Sequence, residues 1–421
     1  MLKEFSIKNF KSFKEETLFS MEADIERVSE FENHIVNINR NNLLKVASMY
    51  GPNGGGKSNV LQALALVVAI QQNLGFSDSD ELPCVFSSSS DIEETLFFVD
   101  DKYEMGYHFV IAPGEIEVAN IIGVPEKYRP SVQSFEIIKE DVVYRKCGID
   151  KFNLLYSRDN TGKIESEYFG SLTDKKDFKL AKKMTVLKYM FNTFAESNDK
   201  LPEYFDVVRH LMNQINSLTV LEIFRNKRFD DKIEALISKH KSSLLSLLNN
   251  IDLKIKDIRL YKDRAYPLYF VREVAIDNSI CEKEISLYNE SSGTRKTFWI
   301  LMSILENLEK GKIFWCDDMN AYLHPKLFRA IIEIFQNNEY GSQLIFNSHD
   351  ILNMDNTLFR RDEIWFAYRN ENYATQLVPL SNIVNYKGEQ VRKDAKYHKQ
   401  YLEGKYGADP FIKRGLNWNE N

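Results

Sequence analysis

The residues with the clearest chemical potential form one glycine-rich segment, Gly51-Pro52-Asn53-Gly54-Gly55-Gly56-Lys57-Ser58, followed by Asn59. The segment matches the pattern G-x-x-x-x-G-K-[ST] at every position. Glycines at such positions let the backbone turn its N–H groups inward around phosphate oxygens. In this pattern the lysine reaches the β- and γ-phosphates, and the hydroxyl ligates Mg²⁺. We therefore predict that residues 51–59 bind the phosphates of a nucleotide, with Lys57 also catalytic and Ser58 also a metal ligand.

The segments on either side of this loop have the secondary structure that the pattern requires. Residues 43–50 are predicted to form a short buried strand, and residues 58–71 carry an apolar run typical of a buried helix. The positive N-terminal end of that helix adds to the attraction for phosphate. A glycine-rich turn that binds nothing is the alternative, and the flanks argue against it.

A pair of acids follows a buried strand in the second half of the chain. The strand is predicted over residues 312–316 and ends in Asp317-Asp318. A carboxylate at the end of such a strand can hold Mg²⁺, so Asp317 is predicted as a metal ligand. Asp318 is placed to orient an attacking water molecule and is predicted to be catalytic. The alternative is that both are ordinary acids at the start of a loop.

Two further signals lie near these acids in the sequence. Ser291-Ser292-Gly293 precedes an apolar helix predicted over residues 297–308, and Ser292 and Gly293 at a helix start would form an anion site. A plain helix cap is the alternative. A buried strand over residues 342–346 is followed by His349, which we predict to hydrogen-bond a γ-phosphate. A structural histidine is the alternative there.

The composition bounds the class of protein. The chain has 421 residues, which favours two lobes or one large α/β domain with an insertion. With 55 basic and 61 acidic residues the formal charge is −6, which does not indicate nucleic-acid binding but leaves a local basic face open. No signal peptide is apparent, and the longest apolar run is too short to span a bilayer. Four scattered cysteines fit reduced thiols, and we predict a cytoplasmic protein without a membrane partner.

The pattern along the chain predicts three parts within an α/β fold. Residues 1–173 hold the glycine-rich loop and a β-rich lobe, 174–250 a helical insertion, and 251–421 the later motifs. Helices are predicted over 175–192, 202–216 and 230–249. Basic residues in this insertion fit a solvated face better than a contact with nucleic acid or a partner: Lys175, Lys176, Lys179, Lys182, Lys183, Arg225, Lys227 and Arg228.

In the order of these motifs the chain resembles the ABC-type ATPase heads of the SMC, RecF and OLD kind. Walker A matches 51–58, the signature matches 291–293 and Walker B matches 313–318. The D-loop matches 319–324, and the switch histidine matches His349. The opening segment 7–13 looks like the N-terminal strand of that family. The closing segment 401–411 resembles RloA-like ATP-binding proteins of bacterial phage-defence operons.

The resemblance implies a head-to-tail homodimer or higher homo-oligomer that uses ATP and Mg²⁺. In such a dimer, Ser292 and Gly293 of one head face the γ-phosphate held by the other. It also implies that ATP hydrolysis controls a separate effector, a nuclease or toxin, in phage defence. The family usually has Glu where this chain has Asp318, and the shorter carboxylate predicts slow turnover. A Q-loop glutamine is not assigned.

Two other functions remain open at this stage. One is a DNA-repair-type ATPase that acts on DNA ends through the basic insertion, with strongly salt-dependent binding. The other is a slow ATP-gated binding switch, in which ATP closes the dimer and is barely hydrolysed. Asp318 in place of Glu makes the second of these plausible.

Overall fold

A computed structural model describes most of the chain. The described residues are 1–24, 31–72, 76–77, 82–118, 131–166, 182–194, 203–221, 231–250, 253–264, 266–276, 279–384, 388–392 and 394–408. The helices are α1 Lys57–Gln72, α2 Val186–Phe194, α3 Glu203–Ile215, α4 Asp231–Asn250, α5 Ser292–Asn307, α6 Pro325–Gln336 and α7 Tyr397–Leu402. The first strands are β1 Leu2–Lys8, β2 Thr17–Ser20, β3 Ile35–Ile38, β4 Asn41–Leu44, β5 Val46–Tyr50, β6 Phe76–Ser77, β7 Ile92–Val99, β8 Tyr103–Val118, β9 Ser131–Lys146, β10 Asn153–Arg158 and β11 Ile164–Glu165. The later strands are β12 Leu218–Val220, β13 Asp257–Leu260, β14 Leu268–Ile276, β15 Ser279–Ser286, β16 Ile313–Cys316, β17 Gln343–Asn347, β18 Ile364–Arg369 and β19 Thr375–Pro379.

A six-stranded sheet, in the order β12-β16-β17-β5-β18-β19, carries the predicted motifs. Its first five strands run parallel, and β19 returns antiparallel to β18. Every residue of β5 and β17 is buried, as expected for parallel strands covered on both faces. Because carboxyl ends of parallel strands share one edge, the loops after β5, β16 and β17 meet there. The predicted strands before the glycine-rich loop, before Asp317 and before His349 are confirmed.

The two faces of this sheet belong to different cores. Ala47 and Met49 of β5 pack with α1 and with the antiparallel lobe sheet, whose order is β11-β10-β9-β8-β7-β1-β2. Val46 and Tyr50 of the same strand point the other way and pack with α5, α6 and α7. The side chains of α1 are apolar nearly all round because the helix is buried between the lobe and the central sheet. The predicted β-rich lobe is therefore present beside the P-loop.

The three helices predicted between residues 174 and 250 are present, but they do not pack as one unit. Helices α2 and α3 contribute to the core of the lobe, whereas α4 packs with β13, β14 and α5 in a third core. Between α3 and α4, strand β12 pairs in parallel with β16 and extends the central sheet. The apolar faces of these helices thus meet different partners, which sequence periodicity does not reveal. The domain boundaries at 173 and 250 stay a prediction.

The first of these helices begins later than predicted. Residues 182–185 form a turn, and α2 starts at Val186 because the Glu140 carboxylate accepts hydrogen bonds from the backbone N–H groups of Val186 and Leu187, at 2.7 and 3.1 Å. Lys182 pairs with Glu136 at 2.9 Å. The other basic residues predicted on this stretch and its successor, apart from Lys183, lie outside the described residues: Lys175, Lys176, Lys179, Arg225, Lys227 and Arg228. Within the described ranges, no helix combines the length and apolarity needed to cross a membrane.

Candidate active site

The glycine-rich loop joins the end of β5 to the start of α1 in the predicted strand–loop–helix order. The Lys57 ammonium donates hydrogen bonds to the carbonyl oxygens of Gly51 and Pro52, both at 2.9 Å, so its side chain folds back over the loop. Gly56 has φ +102°, and a Cβ at this position would lie 2.2 Å from the Thr375 hydroxyl. A side chain at this position would therefore clash with Thr375, and only glycine allows the loop to pack this closely against the β18–β19 hairpin.

The end of β16 brings an acid against this loop. The Ser58 hydroxyl donates a hydrogen bond to Asp317 Oδ1 at 2.9 Å. The Asn347 amide, at the end of β17, donates to the same Oδ1 atom and lies 3.4 Å from the Ser58 hydroxyl. A hydroxyl and a carboxylate oxygen at this spacing are the hard ligands that Mg²⁺ prefers, so the donor set fits the ion. The structure thus places the two predicted metal ligands together.

The two residues predicted to act on the attacking water and the γ-phosphate also lie side by side. His349 Nε2 is 3.8 Å from Asp318 Oδ1, and both side chains are about half exposed. Asp318 has φ +46°, and its backbone N–H donates to Asn347 Oδ1 at 2.5 Å. A left-handed conformation at a non-glycine residue is uncommon and is held here by the surrounding contacts.

The charges of these groups influence one another. Burial lowers the pKa of Lys57, while the carboxylates of Asp318 and Asp317 oppose that shift. Burial, followed by the positive charge of Lys57, lowers the pKa of His349 below its usual 6.5. His349 is therefore uncharged at neutral pH and able to donate a hydrogen bond without adding positive charge.

The predicted signature residues lie at the start of α5. Ser291 caps this helix, because its hydroxyl accepts a hydrogen bond from the Thr294 N–H at 3.1 Å. Gly293 lies against the D-loop: a Cβ there would be 2.6 Å from the Tyr322 carbonyl oxygen. Ser292 and Gly293 thus begin the helix as predicted. Within the described residues, the group nearest to a Cβ at Gly293 therefore belongs to the D-loop of the same chain and not to its P-loop.

A buried lysine that the sequence analysis missed joins this helix to the Walker B end. The Lys296 ammonium donates to the carbonyl oxygens of Asp318 at 3.1 Å and of Ala321 at 2.7 Å. Burial lowers the pKa of Lys296 to about 8. The start of α5 and the D-loop are therefore held together within one chain.

A second group missed by the sequence analysis supports the P-loop from the β18–β19 hairpin. The Thr375 hydroxyl donates to the Gly55 carbonyl oxygen at 3.0 Å and contacts the Ser12 hydroxyl at 2.7 Å. The Asn59 amide donates to the same Ser12 oxygen at 2.6 Å, and Arg369 donates to the Gly54 carbonyl oxygen at 2.7 Å. No local signal points to the contacts of Thr375 and Arg369, because these join residues more than 300 positions apart. Asn347 had a usable signal, since it ends a buried strand next to that of Asp317.

The fold and the site define a P-loop ATPase head of the α/β class, which confirms the predicted fold class and resemblance. A family model described as "AAA domain, putative AbiEii toxin, Type IV TA system" matches residues 46–355. The chain belongs to this family, since the match spans more than half of its 421 residues. No curated protein matches the chain.

Several solved structures to which the chain is similar are SMC heads. The SMC head domain from Thermotoga maritima has 14% identity and a TM-score of 0.38, with 90% of this chain and 98% of that chain covered. The SmcHead bound to the C-winged helix domain of ScpA has 12% identity and a TM-score of 0.40, with coverages of 90% and 97%. The Smc head domain with an extended coiled coil, bound to the C-terminal domain of ScpA and derived from Pyrococcus furiosus, has 11% identity and a TM-score of 0.38, with coverages of 90% and 95%.

Proposed function

We propose that this protein is a cytoplasmic ATPase subunit that dimerises around ATP and controls a separate effector chain in phage defence. The observation that carries the proposal is the meeting of Lys57, Ser58, Asp317, Asp318 and His349 at one edge of the central sheet. Five residues drawn from three distant segments, each with a matching role in phosphate chemistry, support ATP hydrolysis over simple packing.

The residues divide the chemistry between them. The N–H groups of the loop and the Lys57 ammonium bind the β- and γ-phosphates, and phosphate oxygens replace the two loop carbonyls that Lys57 now contacts. Ser58 and Asp317 would hold Mg²⁺, which would supply positive charge that neutralises the phosphates. Asp318 orients the attacking water, and uncharged His349 donates a hydrogen bond to the γ-phosphate.

Asp318 makes this a slow enzyme. Its carboxylate is one methylene shorter than that of the Glu usual in such heads, so it holds water less closely to the γ-phosphate. If the wild-type protein barely hydrolyses ATP, and Asp318→Glu raises kcat, the subunit is an ATP-gated switch more than a catalyst. Rapid wild-type turnover would rule out that second function.

The dimer and the effector follow from other features. Ser292 and Gly293 begin α5 against their own D-loop, which supports their use on the γ-phosphate of a second copy. The family description refers to a type IV toxin–antitoxin system, which has two components and so supports work with a partner chain. We propose that this partner is a nuclease or toxin encoded beside this gene.

The first test is nucleotide binding and hydrolysis by the full chain. Lys57→Ala is expected to weaken ATP binding by about 10- to 100-fold, because it removes a charge-assisted contact to phosphate. Asp318→Asn is expected to keep ATP affinity and lower kcat by about 100-fold or more. Lys163→Ala, an exposed lysine on the lobe, is the matched control. Unchanged nucleotide affinity and self-association in Lys57→Ala would contradict the proposal.

The second test addresses the effector. We expect the protein to co-purify with the product of the adjacent gene, and protection against phage to require both genes. Lys57→Ala should abolish protection while leaving the protein at wild-type abundance. Full protection by the ATPase alone, without association of the two chains, would refute effector control and leave the ATPase assignment intact.

A further inference from the structure

We propose that Phe86 and Tyr373 form a stacking platform for the purine base of the nucleotide. This inference rests on the proposed ATP binding and adds the residues that bind the base. The two rings are stacked, with centroids 6.2 Å apart and an interplanar angle of 26°. Tyr373 is 64% exposed and Phe86 is 41% exposed. A pair of stacked aromatic rings that both remain partly exposed to solvent offers apolar surface for a flat ligand.

The platform lies beside the P-loop on the side where α1 begins. Tyr373 is in the turn between β18 and β19, two residues before Thr375, whose hydroxyl bonds the Gly55 carbonyl. Phe86 is in the loop after residue 82. That loop is held to the N-terminal segment by the hydrogen bonds from Lys11 N to the Leu82 oxygen at 2.6 Å and from Cys84 N to the Asn9 oxygen at 3.3 Å.

Both loops therefore meet at residues 11–12, next to the first turn of α1. The Thr375 N–H donates to the Ser12 carbonyl oxygen at 2.8 Å, and the Asn59 amide donates to the Ser12 hydroxyl. In a P-loop the lysine reaches the β- and γ-phosphates, while the loop N–H groups hold the α- and β-phosphates. Lys57 and Asp317 mark the γ-phosphate end of the site. The α-phosphate and the sugar of the bound nucleotide therefore extend in the other direction, past Asn59 and Ser12. This direction places the base of the nucleotide at the rings of Phe86 and Tyr373.

The backbone of the turn holds Tyr373 in this place. Tyr373 has φ +59°, a left-handed conformation that is costly for a bulky residue. The turn is closed by hydrogen bonds from Tyr373 N to the Asn370 carbonyl at 3.0 Å and from Ala374 N to the Asn370 side chain at 3.1 Å. A strained but well-bonded residue that presents an exposed ring fits a binding role better than a packing role.

Stacking on an aromatic ring contributes about 5- to 150-fold in affinity per base and tolerates different bases. The larger purine ring system covers more of a two-ring surface than a pyrimidine does. We therefore expect ATP and GTP to bind more tightly than CTP and UTP, with the phosphate contacts the same for all four.

The experiment measures binding of ATP and of inorganic tripolyphosphate to the full chain by calorimetry, with Mg²⁺ present. Tyr373→Ala is expected to weaken ATP binding about tenfold and leave tripolyphosphate binding unchanged. Tyr373→Phe should bind ATP as the wild type does, and Phe86→Ala should change ATP binding in the same direction as Tyr373→Ala. Tyr340→Ala, at an exposed tyrosine before β17, is the control and should change neither.

The outcomes separate this inference from the function on which it rests. If the wild type binds tripolyphosphate through Lys57, and Tyr373→Ala binds ATP normally, the platform is wrong and the ATPase assignment stands. Equal losses of ATP and tripolyphosphate in Tyr373→Ala would also overturn it, because they would place the effect on the P-loop through Thr375. Thr375→Val removes the hydroxyl that bonds Gly55 and serves as the comparison, because it should weaken the binding of ATP and of tripolyphosphate equally. If the wild type binds neither ligand, both proposals fail.

Discussion

Asp317 and Asp318 are neighbours in the chain with different surroundings. Asp317 Oδ1 accepts hydrogen bonds from Ser58 and Asn347, whereas the side chain of Asp318 is 60% exposed and faces His349. Asn347 connects the two, since its amide donates to Asp317 and its oxygen accepts from the Asp318 N–H. Asn347 thus fixes both the Asp317 carboxylate, proposed to hold the metal, and the backbone of Asp318, proposed to orient water.

This arrangement predicts a specific defect in Asn347→Ala. We expect kcat to fall about 10- to 100-fold, because the substitution removes a hydrogen bond to a charged group and one to the Asp318 backbone. ATP affinity should change less, since Lys57 and the loop N–H groups remain. Steady-state hydrolysis and nucleotide binding measure the two effects. Asn337→Ala, which removes an exposed hydrogen bond at the end of α6, is the control. An equal loss in binding and turnover would assign Asn347 to the fold of the P-loop instead.

At the scale of elements, α1 is held at both ends. Its first turn contacts Ser12, and at its last turn the Gln71 amide donates to the Tyr107 hydroxyl of β8 at 2.7 Å. That hydroxyl lies 3.3 Å from the Glu140 carboxylate, which also caps α2. The P-loop helix is therefore joined to a buried polar network in the lobe. Such networks are costly wherever one member is left unsatisfied.

Glu94 of β7 is a buried acid near this network, where its charge acts on the Tyr107 hydroxyl without a hydrogen bond to it. It is fully buried, and within the described part of the chain neither carboxylate oxygen has a hydrogen-bond partner. Burial raises the pKa of Glu94 well above 4.5. The folded state therefore holds a proton that the unfolded state releases. Stability from this group is present below about pH 4.5 and is lost as pH rises towards the folded pKa.

We therefore predict that Glu94→Gln flattens the dependence of stability on pH. The free energy of unfolding of the variant, relative to the wild type, should increase with pH by at most about 1.4 kcal/mol per unit between pH 5 and 8. Denaturant unfolding across this range measures the difference. Glu115→Gln, at an exposed residue of β8, should follow the wild type. A constant difference between Glu94→Gln and the wild type would contradict the prediction.

At the scale of the whole molecule, the two halves of the proposed ATP site lie on one chain but are separate from each other. The P-loop, Walker B and switch residues contact one another. The signature residues, at the start of α5, instead pack against the D-loop. An isologous pairing of two copies about a two-fold axis would bring the P-loop of each copy against the signature of the other and make two composite sites. The central sheet, buried on both faces, supplies a rigid base for both halves.

Complementation between two inactive variants tests this arrangement. Lys57→Ala damages only the P-loop half, and Ser292→Arg only the signature half. A mixed dimer holds one site damaged twice and one intact site, so mixing the two should restore up to about a quarter of wild-type hydrolysis. Each variant alone should remain inactive. Light scattering with differently tagged chains would reveal whether mixed dimers form. If they form and remain inactive, the whole site lies within one chain.

The sequence by itself determined the features that depend on short segments. A glycine-rich loop needs particular residue types at fixed spacing, and buried strands ending in Asp317 and His349 are visible as apolar runs. The Mg²⁺ role predicted for Ser58 and Asp317, and the γ-phosphate role predicted for His349, implied that these three residues meet at one site. The cap at Ser291 and the start of α5 likewise depend on local hydrogen bonds.

Only the tertiary structure decided what depends on contacts between distant segments. The hydrogen bonds of Thr375 with Ser12 and Gly55 join the two ends of the chain. The partition of α3 and α4 between two cores depends on which apolar faces fit together in space. Such contacts leave no periodic trace in a single sequence, because their energies come from complementary shape and from hydrogen-bond partners far away along the chain.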